Sequence, residues 1–303
     1  MTASTLAGGV LPVLYTPFTP DDAIDMGAIH PQVDWMLKCG ADGVCIGMVS
    51  EVLRLSIDER RALAAEVVGA VGGRSAVVVA VTAESTRLAL QLARHAEKVG
   101  ASATMVAPPV TASIGTEETI RHLRAVVDAT TIPCIIQDAS GYVGRPLPIE
   151  VMAQMLVDYD PARVLFKPEA EPIGPQLSAL LKATAGKARV YEGNGGRSLV
   201  ESHRRGAVGS IPGADMTPAI VALWRALEAG DDASAYRISM AVTALYSGLD
   251  SIEGFVAVAK RILVCRGVMP HARARAPAGV ELDDVTANEI DRLASMADAA
   301  ARA

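Results

Sequence analysis

Apolar and polar positions along this chain follow two alternating patterns. Through the first 230 residues, short apolar runs recur, and each is followed by a segment in which apolar residues return at helical spacing. The runs predict buried β-strands and the segments predict amphipathic helices. The predicted strands cover residues 10–15, 43–46, 76–81, 104–107, 132–136, 164–167, 190–192 and 208–211.

The junctions between helices and strands repeat one small design. Predicted helices end in a cation followed by Gly40, Gly100 or Gly206, and an apolar run then begins. A cation stabilises the carboxyl end of the helix dipole, and Gly adopts the left-handed conformation that closes a helix. Ser56 and Glu59 form a predicted capping box at one helix start. Eight such units favour an α/β fold of the (β/α)8 TIM barrel type over an open sheet.

The chain after residue 230 has helical periodicity throughout. Asp231 and Asp283 stand at the expected starts of two helices. We therefore predict a catalytic barrel over residues 1–230 and a C-terminal helical extension over residues 231–303, which serves as a cap or an assembly element. The first strand is not followed by a glycine-rich phosphate fingerprint, which disfavours a doubly wound sheet.

Composition narrows the classes of function. The 303 residues are 50% hydrophobic, enough for a barrel-sized core. A net charge of −6 with scattered basic residues argues against nucleic acid or a membrane surface as partner, and no apolar run reaches the ~18 residues of a membrane span. The four cysteines and five histidines lack metal-ligand spacing, and the N-terminus lacks a signal-peptide pattern. We predict a cytoplasmic protein without disulfides or a bound metal, acting on a small molecule.

A lysine at the end of a core strand is the strongest chemical signal. The run Arg-Val-Leu-Phe-Lys-Pro-Glu at 163–169 resembles a buried strand ended by Pro168, which has no N–H for the ladder. Side chains alternate along a strand, so Lys167 and Glu169 share a face with Leu165. Burial lowers the pKa of an amine and leaves more of the neutral nucleophile. Lys167 is therefore a candidate for imine formation, and the alternative is a lysine whose ammonium reaches solvent at the strand end.

Further unusual residues follow other predicted strand ends, where barrel enzymes carry their active sites. The chain resembles, over essentially its full length, the dihydrodipicolinate synthase and N-acetylneuraminate lyase superfamily of lysine-dependent barrel lyases. The matching segments are Thr-Pro-Phe at 16–18, the turn at 47–51 with Leu-Ser-Ile-Asp-Glu-Arg at 55–60, Ala-Pro-Pro at 107–109, Phe-Lys at 166–167 and Gly-Ala-Val-Gly-Ser-Ile at 206–211.

The resemblance implies a chemistry and a set of site residues. Lys167 condenses with the ketone of a 2-oxo acid, so the covalent imine is the electron sink and no external cofactor is expected. The turn around Ser50, through its hydroxyl and backbone amides, holds the substrate carboxylate. The expected substrate-binding residues are Gly47, Val49, Ser50, Gln137, Asp138 and Ile211. Superfamily members are commonly tetramers of barrels, so the resemblance also implies a homo-oligomer, with a tetramer as the expected form.

Departures from the common family pattern narrow the reaction. Gln137 and Asp138 replace the Tyr-Asn pair at the end of strand five, and an amide cannot shuttle protons. The paired threonines of strand two are also absent, and Tyr142 stands where synthases use an arginine for a second carboxylate. Biosynthetic synthase activity is therefore disfavoured. Glu169 remains the candidate acid-base group beside Lys167, with a simple ion-pair role as the alternative.

These residues together resemble the branch typified by 2-keto-3-deoxy-L-arabonate dehydratase. In that interpretation Glu169 removes a proton from C3 of the imine, and the enamine expels the C4 hydroxyl, with Gln137 bound to a substrate hydroxyl. A second interpretation is an aldolase that cleaves a related acid to pyruvate and an aldehyde, assisted by water or Asp138. Asp138 is alternatively a turn residue. A third, from another class, is a non-catalytic sugar-acid-binding barrel.

Overall fold

Parallel strands form the centre of the molecule. The computed structural model describes residues 6–249 and 251–303. Its strands are β1 (Gly9–Val10), β2 (Gly43–Ile46), β3 (Ala76–Ala80), β4 (Ala103–Val106), β5 (Cys134–Asp138), β6 (Val164–Pro168), β7 (Tyr191–Glu192) and β8 (Gly209–Ser210).

The strands close into a barrel. Strands β2 to β6 pair in sequence order in one parallel sheet, and β7, β8 and β1 pair in a second. Isolated parallel bridges join the two sheets, from Val13 to Cys45 at one seam and from Phe166 to Val190 at the other. The (β/α)8 barrel predicted from the sequence is confirmed.

A helix follows each strand, and three more form the C-terminal extension. The helices that alternate with the strands are α1 (Ile29–Lys38), α2 (Ile57–Val71), α3 (Thr86–Val99), α4 (Thr116–Asp128), α5 (Ile149–Asp158), α6 (Ile173–Ala183), α7 (Leu199–Arg204) and α8 (Thr217–Glu228). The extension contains α9 (Asp232–Tyr246), α10 (Ile252–Cys265) and α11 (Asp284–Arg302). Among the residues described, no helix is both long enough and apolar enough to cross a membrane.

The local signals at the helix ends act as the sequence predicts. Gly40, Gly100 and Gly206 have φ values of 91°, 98° and 90°, the left-handed conformation that closes the preceding helix. Ser56 and Glu59 form the predicted capping box at the start of α2. The side chains of Asp231 and Asp283 accept N–H groups in the first turns of α9 and α11, and so define where these helices begin.

Most strands differ from their predicted bounds by one or two residues, and the differences in the first and fifth strands bear on the site. The first predicted strand, 10–15, shortens to Gly9–Val10 because Pro12 has no N–H for the ladder. The fifth begins at Cys134, after Pro133, and continues through Asp138, so Gln137 and Asp138 lie within the strand. Successive strand residues face opposite sides, and Gln137 and Asp138 therefore point in opposite directions.

Alternation along β6 decides which side chains face the barrel interior. Leu165 belongs to the cluster of side chains that fills the barrel, while Val164 and Phe166 pack toward the surrounding helices. Lys167 follows Leu165 on the inner face, and its side chain is 6% exposed. The predicted shared face of Leu165, Lys167 and Glu169 agrees with this packing.

The extension packs against the barrel and reaches its mouth. Helices α8, α9 and α11 pack against one another, and α10 contacts the turns at residues 48–50 and 214–216. Ile252 and Phe255 of α10 line the same cavity as Lys167. The division into a barrel over 1–230 and an extension over 231–303 stays a prediction, and the cavity has walls from both.

Candidate active site

A cavity opens at the carboxyl ends of the strands, where the sequence places the chemistry. Six of the eight predicted site residues line it, and Ser50 and Asp138 do not. The six are Gly47, Val49, Gln137, Lys167, Glu169 and Ile211.

Three of these side chains form one buried hydrogen-bonded group. Lys167 Nζ donates to Glu169 Oε1 at 2.7 Å, and Gln137 Nε2 donates to Glu169 Oε2 at 2.6 Å. Gln137 and Lys167 are register partners on β5 and β6, which brings their side chains to one face at the same height. Gln137 Oε1 is buried and accepts no hydrogen bond from the residues described, so an acceptor is available beside the pair.

Burial sets the electrostatics of this group. Burial raises the pKa of Glu169, although Lys167 and Gln137 oppose the shift by stabilising the carboxylate. A carboxyl that accepts a proton readily, 2.7 Å from an ammonium, can take the lysine proton and leave a neutral amine. A neutral amine is the form that attacks a ketone to make an imine.

A second buried carboxyl supports the loop after β7. Glu192 accepts hydrogen bonds from the backbone N–H groups of Asn194 and Gly196 and from the Ser210 hydroxyl. Burial raises the pKa of Glu192, and these bonds oppose the shift. Glu192 therefore fixes the backbone at residues 193–196, which forms the cavity wall next to Glu169.

The turn after β2 uses Ser50 internally. The Ser50 hydroxyl accepts from Gly47 N–H at 3.0 Å and donates to Leu14 O, and the Ser50 N–H donates to Gly47 O. The hydroxyl and amide of Ser50 therefore shape the turn and do not face the cavity, contrary to the expectation that they hold the substrate carboxylate. The N–H groups of Met48 and Val49, in contrast, meet no acceptor in the described part of the chain.

Asp138 also lies away from the cavity. Its Oδ1 accepts from Ser140 N–H and its Oδ2 from Leu147 N–H, both at 3.0 Å. The carboxylate thus fixes the loop that follows β5, in the manner of a turn residue. The strand period turns Asp138 to the opposite side of β5 from Gln137. Asp138 is therefore not positioned to contact a substrate in this cavity, contrary to the prediction.

Several cavity residues were not predicted as site residues. Tyr15, Tyr142 and Phe255 line the cavity, and the Tyr142 hydroxyl donates to Asn194 Oδ1 at 3.2 Å. The rings of Tyr142 and Phe255 meet edge to face at 5.4 Å. The replacement of an arginine by Tyr142 was a signal available in the sequence. Phe255 had none, because a helix far along the chain reaches the cavity only through tertiary packing.

The described residues contain no group of three or more His, Cys, Asp and Glu side chains that could hold a metal ion. The four cysteines are free thiols. The polar side chains that line the cavity carry amine, carboxyl, amide and phenol groups.

Comparison with known proteins assigns this arrangement to a family. A profile of the dihydrodipicolinate synthetase family matches residues 6–297. The chain belongs to this family. Dihydrodipicolinate synthetase family enzymes act through a covalent Schiff base on a lysine and need no external cofactor. The resemblance drawn from the sequence motifs is confirmed, and the protein is an enzyme of the Schiff-base lyase superfamily.

Relatives within the family carry different names. The chain is 31% identical over 279 residues to 4-hydroxy-tetrahydrodipicolinate synthase 2 of Streptomyces coelicolor, covering 91% of each chain. It is 26% identical over 274 residues to L-2-keto-3-deoxyarabonate dehydratase of Azospirillum brasilense, covering 89% of this chain and 88% of the relative. A similar solved structure is a prophage protein of the family from E. coli K12 in complex with pyruvate, with TM-score 0.87, 24% identity, and 96% and 98% coverage.

Proposed function

We propose that this enzyme dehydrates a 2-keto-3-deoxy sugar acid of the 2-keto-3-deoxy-L-arabonate type through an imine on Lys167. The observation that carries the proposal is the buried Glu169 carboxyl, 2.7 Å from Lys167 Nζ. It is the acid-base group next to the carbons that an imine would activate. The dehydratase relative from Azospirillum brasilense supports the same substrate class.

The proposed steps follow from the position of Glu169. Lys167 attacks the C2 ketone, and loss of water gives a protonated imine. Glu169 removes a C3 proton, and the C–H electron pair forms the C2–C3 double bond of an enamine. The nitrogen lone pair then re-forms the C2–N double bond, and the C2–C3 pair shifts to C3–C4. The C4–O bond breaks, and the leaving hydroxyl takes up a proton and departs as water. Tautomerisation and hydrolysis release 2-oxoglutarate semialdehyde from a pentonate and restore the amine of Lys167.

The remaining contacts are assigned by their free hydrogen-bonding groups. The N–H groups of Met48 and Val49 would hold the substrate carboxylate, because the first amides of a helical turn are unsatisfied and favour anions. The unpaired Gln137 Oε1 would accept from a substrate hydroxyl. Ile211 and Gly47 would form the apolar wall and the close backbone approach.

Aldol cleavage to pyruvate and an aldehyde is the second candidate. Gln137 replaces the tyrosine at the end of strand five, which argues against it, yet two phenols from other elements, Tyr15 and Tyr142, line the cavity. A phenol near C4 could take the hydroxyl proton that cleavage requires.

Product analysis decides between the two reactions. The enzyme is incubated with a panel of 2-keto-3-deoxy pentonates and hexonates, and products are identified by mass spectrometry. The expected product has lost one water and kept its carbon chain. Pyruvate with a shorter aldehyde would assign an aldolase, and an unchanged panel with imine trapping intact would reject both.

Borohydride reduction tests the nucleophile. Reduction in the presence of pyruvate should add one covalent adduct, and peptide mapping should place it on Lys167. Lys167→Met should abolish labelling, while Lys182→Met, at an exposed position, serves as the matched control. An adduct on another lysine would contradict the imine assignment, and no adduct at all would favour a non-catalytic binding barrel.

We also propose that the chain forms a homo-oligomer, a tetramer, since family members commonly form homo-oligomers. Light scattering at micromolar concentration should give four times the monomer mass of 31.5 kDa. A monomer would contradict the proposed tetramer and would leave the proposed chemistry unaffected.

A cytoplasmic location stays a prediction from the sequence.

A further inference from the structure

A second group of buried oxygens lies beside the cavity, apart from the Lys167 pair. Tyr15 follows β1, Asp215 follows β8, and Tyr246 is the last residue of α9. All three side chains are buried. Strands β7 and β8 separate β1 from β6, so this group approaches the cavity from a different side than Lys167.

Asp215 holds the group together. The Tyr246 hydroxyl donates to Asp215 Oδ2 at 2.7 Å. The other carboxylate oxygen, Oδ1, stands near the Tyr15 hydroxyl but has no hydrogen bond of ordinary geometry within the part of the chain described. Burial of a carboxylate oxygen without a hydrogen-bond partner destabilises the folded state. Its retention at this position therefore points to a role in function.

Gly213 keeps these oxygens at the cavity wall. Gly213 and Tyr15 both line the cavity, and a Cβ at residue 213 would collide with the Tyr15 hydroxyl and with Asp215 Oδ1. The φ of Gly213 is −65°, a value that any residue adopts, so its backbone conformation does not require glycine. Glycine instead allows the Tyr15 hydroxyl and Asp215 Oδ1 to approach the backbone at residue 213 closely.

We propose that the Tyr15 hydroxyl, positioned by Asp215 and Tyr246, binds the C4 hydroxyl of the substrate and gives it a proton as it departs. This inference deepens the proposed dehydration. Lys167 and Glu169 serve C2 and C3, and neither is assigned to the leaving oxygen at C4. Of the two phenols that line the cavity, Tyr142 already donates to Asn194 Oδ1, so Tyr15 is the phenol available to that oxygen. Tyr15 is the group that touches substrate, and Asp215 and Tyr246 act through it.

The proton balance is closed within the site. The C3 proton goes to Glu169, the C4–O bond breaks with its electron pair on oxygen, and the Tyr15 proton joins that oxygen to form water. Asp215, when protonated on Oδ1, returns a proton to Tyr15, and exchange after product release restores both carboxyl groups. Burial raises the pKa of Asp215 to about 6, against the opposing Tyr246 bond, so near neutral pH a larger fraction of this carboxyl is protonated than of an ordinary Asp. Burial and Asp215 raise the pKa of Tyr15, so a lasting phenolate is disfavoured.

The test separates recognition of the hydroxyl from imine formation. Two 2-oxo acids that differ by one group, 2-oxopentanoate and 4-hydroxy-2-oxopentanoate, are compared by the concentration that gives half-maximal borohydride labelling of Lys167. The wild type should favour the hydroxylated acid about tenfold, the effect of one hydrogen bond. Tyr15→Phe should label normally with 2-oxopentanoate, lose the preference, and turn over the sugar acid roughly 10²–10³-fold more slowly.

Matched variants identify the positioning role. Tyr191→Phe alters a buried tyrosine whose hydroxyl bonds Ala7 O outside the cavity, and it should keep the preference. Asp215→Asn retains an N–H donor toward Tyr15 and should keep the preference, whereas Asp215→Leu should lose it.

Three results would overturn the inference. One is Tyr15→Phe with an unchanged preference and turnover. Another is a loss of 2-oxopentanoate labelling in Tyr15→Phe equal to the loss of turnover, which would assign Tyr15 to folding or imine formation. The third is a full preference in Asp215→Leu. The labelling preference is independent of product identity, so failure of the dehydratase proposal in the wild type would be seen separately.

Discussion

Lys167 and Glu169 form an ion pair in which both side chains are almost fully buried. Their side chains are 6% and 3% exposed, so solvent screens their interaction weakly. Gln137 adds a second donor to the same carboxylate. A carboxyl bound this way on both oxygens is fixed relative to the amine before substrate arrives, as the proposed removal of a C3 proton requires.

Replacement of Glu169 by Gln should separate imine formation from turnover. The amide keeps the size of the side chain but cannot accept a proton, so turnover should fall roughly 10²–10⁴-fold while borohydride labelling by pyruvate persists. Steady-state kinetics and labelling are measured on the same preparation. Deuterium at C3 should give a primary isotope effect in the wild type if proton removal limits the rate.

Asp138→Asn is the matched control, since it makes the same change of carboxyl to amide on the outer side of β5. Its turnover should stay within a few-fold of the wild type. If Asp138→Asn were the more damaging change with labelling intact, the base assignment would be wrong and an aldolase mechanism favoured.

Gly193 leaves the space in which Glu169 lies. A Cβ at residue 193 would stand 2.7 to 2.9 Å from Cγ, Oε1 and Cδ of Glu169. Gly193→Ala should therefore displace the carboxyl and reduce turnover by at least tenfold, an effect on the order of 1.4 kcal/mol in transition-state binding. Gly115→Ala, where no atom lies within 4 Å of the new Cβ, should behave as wild type. Equal kinetics for the two variants would mean that Glu169 tolerates displacement.

Among the elements, α10 is tied to the turn after β2 by a buried ion pair. Lys260 of α10 donates to Glu51, to Thr16 O and to Arg273 O. Neither Lys260 nor Glu51 has an exposed side chain. Arg275 N–H donates to the other oxygen of Glu51 at 2.9 Å. Glu51 follows Met48 and Val49, which line the cavity, so the extension supports the turn proposed to bind the substrate carboxylate.

Lys260→Met should destabilise the protein strongly. Methionine preserves much of the packing but leaves the Glu51 carboxylate buried without its cation, a loss of roughly 3–5 kcal/mol. Urea unfolding measures the free energy, and pyruvate labelling should need a higher concentration because the turn is less well held. The exposed Lys182→Met should change stability by less than about 0.5 kcal/mol. A Lys260→Met variant within about 1 kcal/mol of wild type would show that the pair does not hold the turn.

At the scale of the whole molecule, buried acids make stability depend on pH. Burial raises the pKa of Asp215 to about 6 in the folded state, above the 3.8 of an ordinary Asp. The folded state then binds more protons than the unfolded state between these values. The contribution of Asp215 to stability is present below pH 4 and is lost as pH rises through 6. Tyr15, Tyr246 and Arg266 are the titratable and charged groups that influence it.

Asp215→Asn should remove the part of the pH dependence of stability that Asp215 contributes. Relative to wild type, its free energy of unfolding should increase between pH 4 and 6.5, by roughly 2–3 kcal/mol at most, because the amide carries no charge to bury. Denaturant unfolding across that range measures the difference. A difference that stays constant with pH would mean that Asp215 titrates alike in both states.

The sequence by itself determined the barrel, the helix ends and the candidate nucleophile. Hydrophobic period, Gly at helix ends and capping side chains act over a few residues, so they can be interpreted without tertiary contacts, as Gly100 and Ser56 show. Lys167 was identifiable because a lysine ending an apolar strand conflicts with burial unless it serves a function. The pairing of Lys167 with Glu169 followed from strand alternation alone.

Tertiary structure decided which polar groups face the cavity. Asp138 and Gln137 are neighbours in sequence, but one residue of strand period sends Asp138 outward to the loop amides. The sequence placed the Ser50 hydroxyl among the groups available to bind the substrate carboxylate. In the structure this hydroxyl donates instead to Leu14 O, a backbone group 36 residues away. Phe255 and the Tyr15, Asp215 and Tyr246 group come from distant parts of the chain. Their contacts depend on closure of the barrel and docking of the extension, which local sequence patterns do not encode.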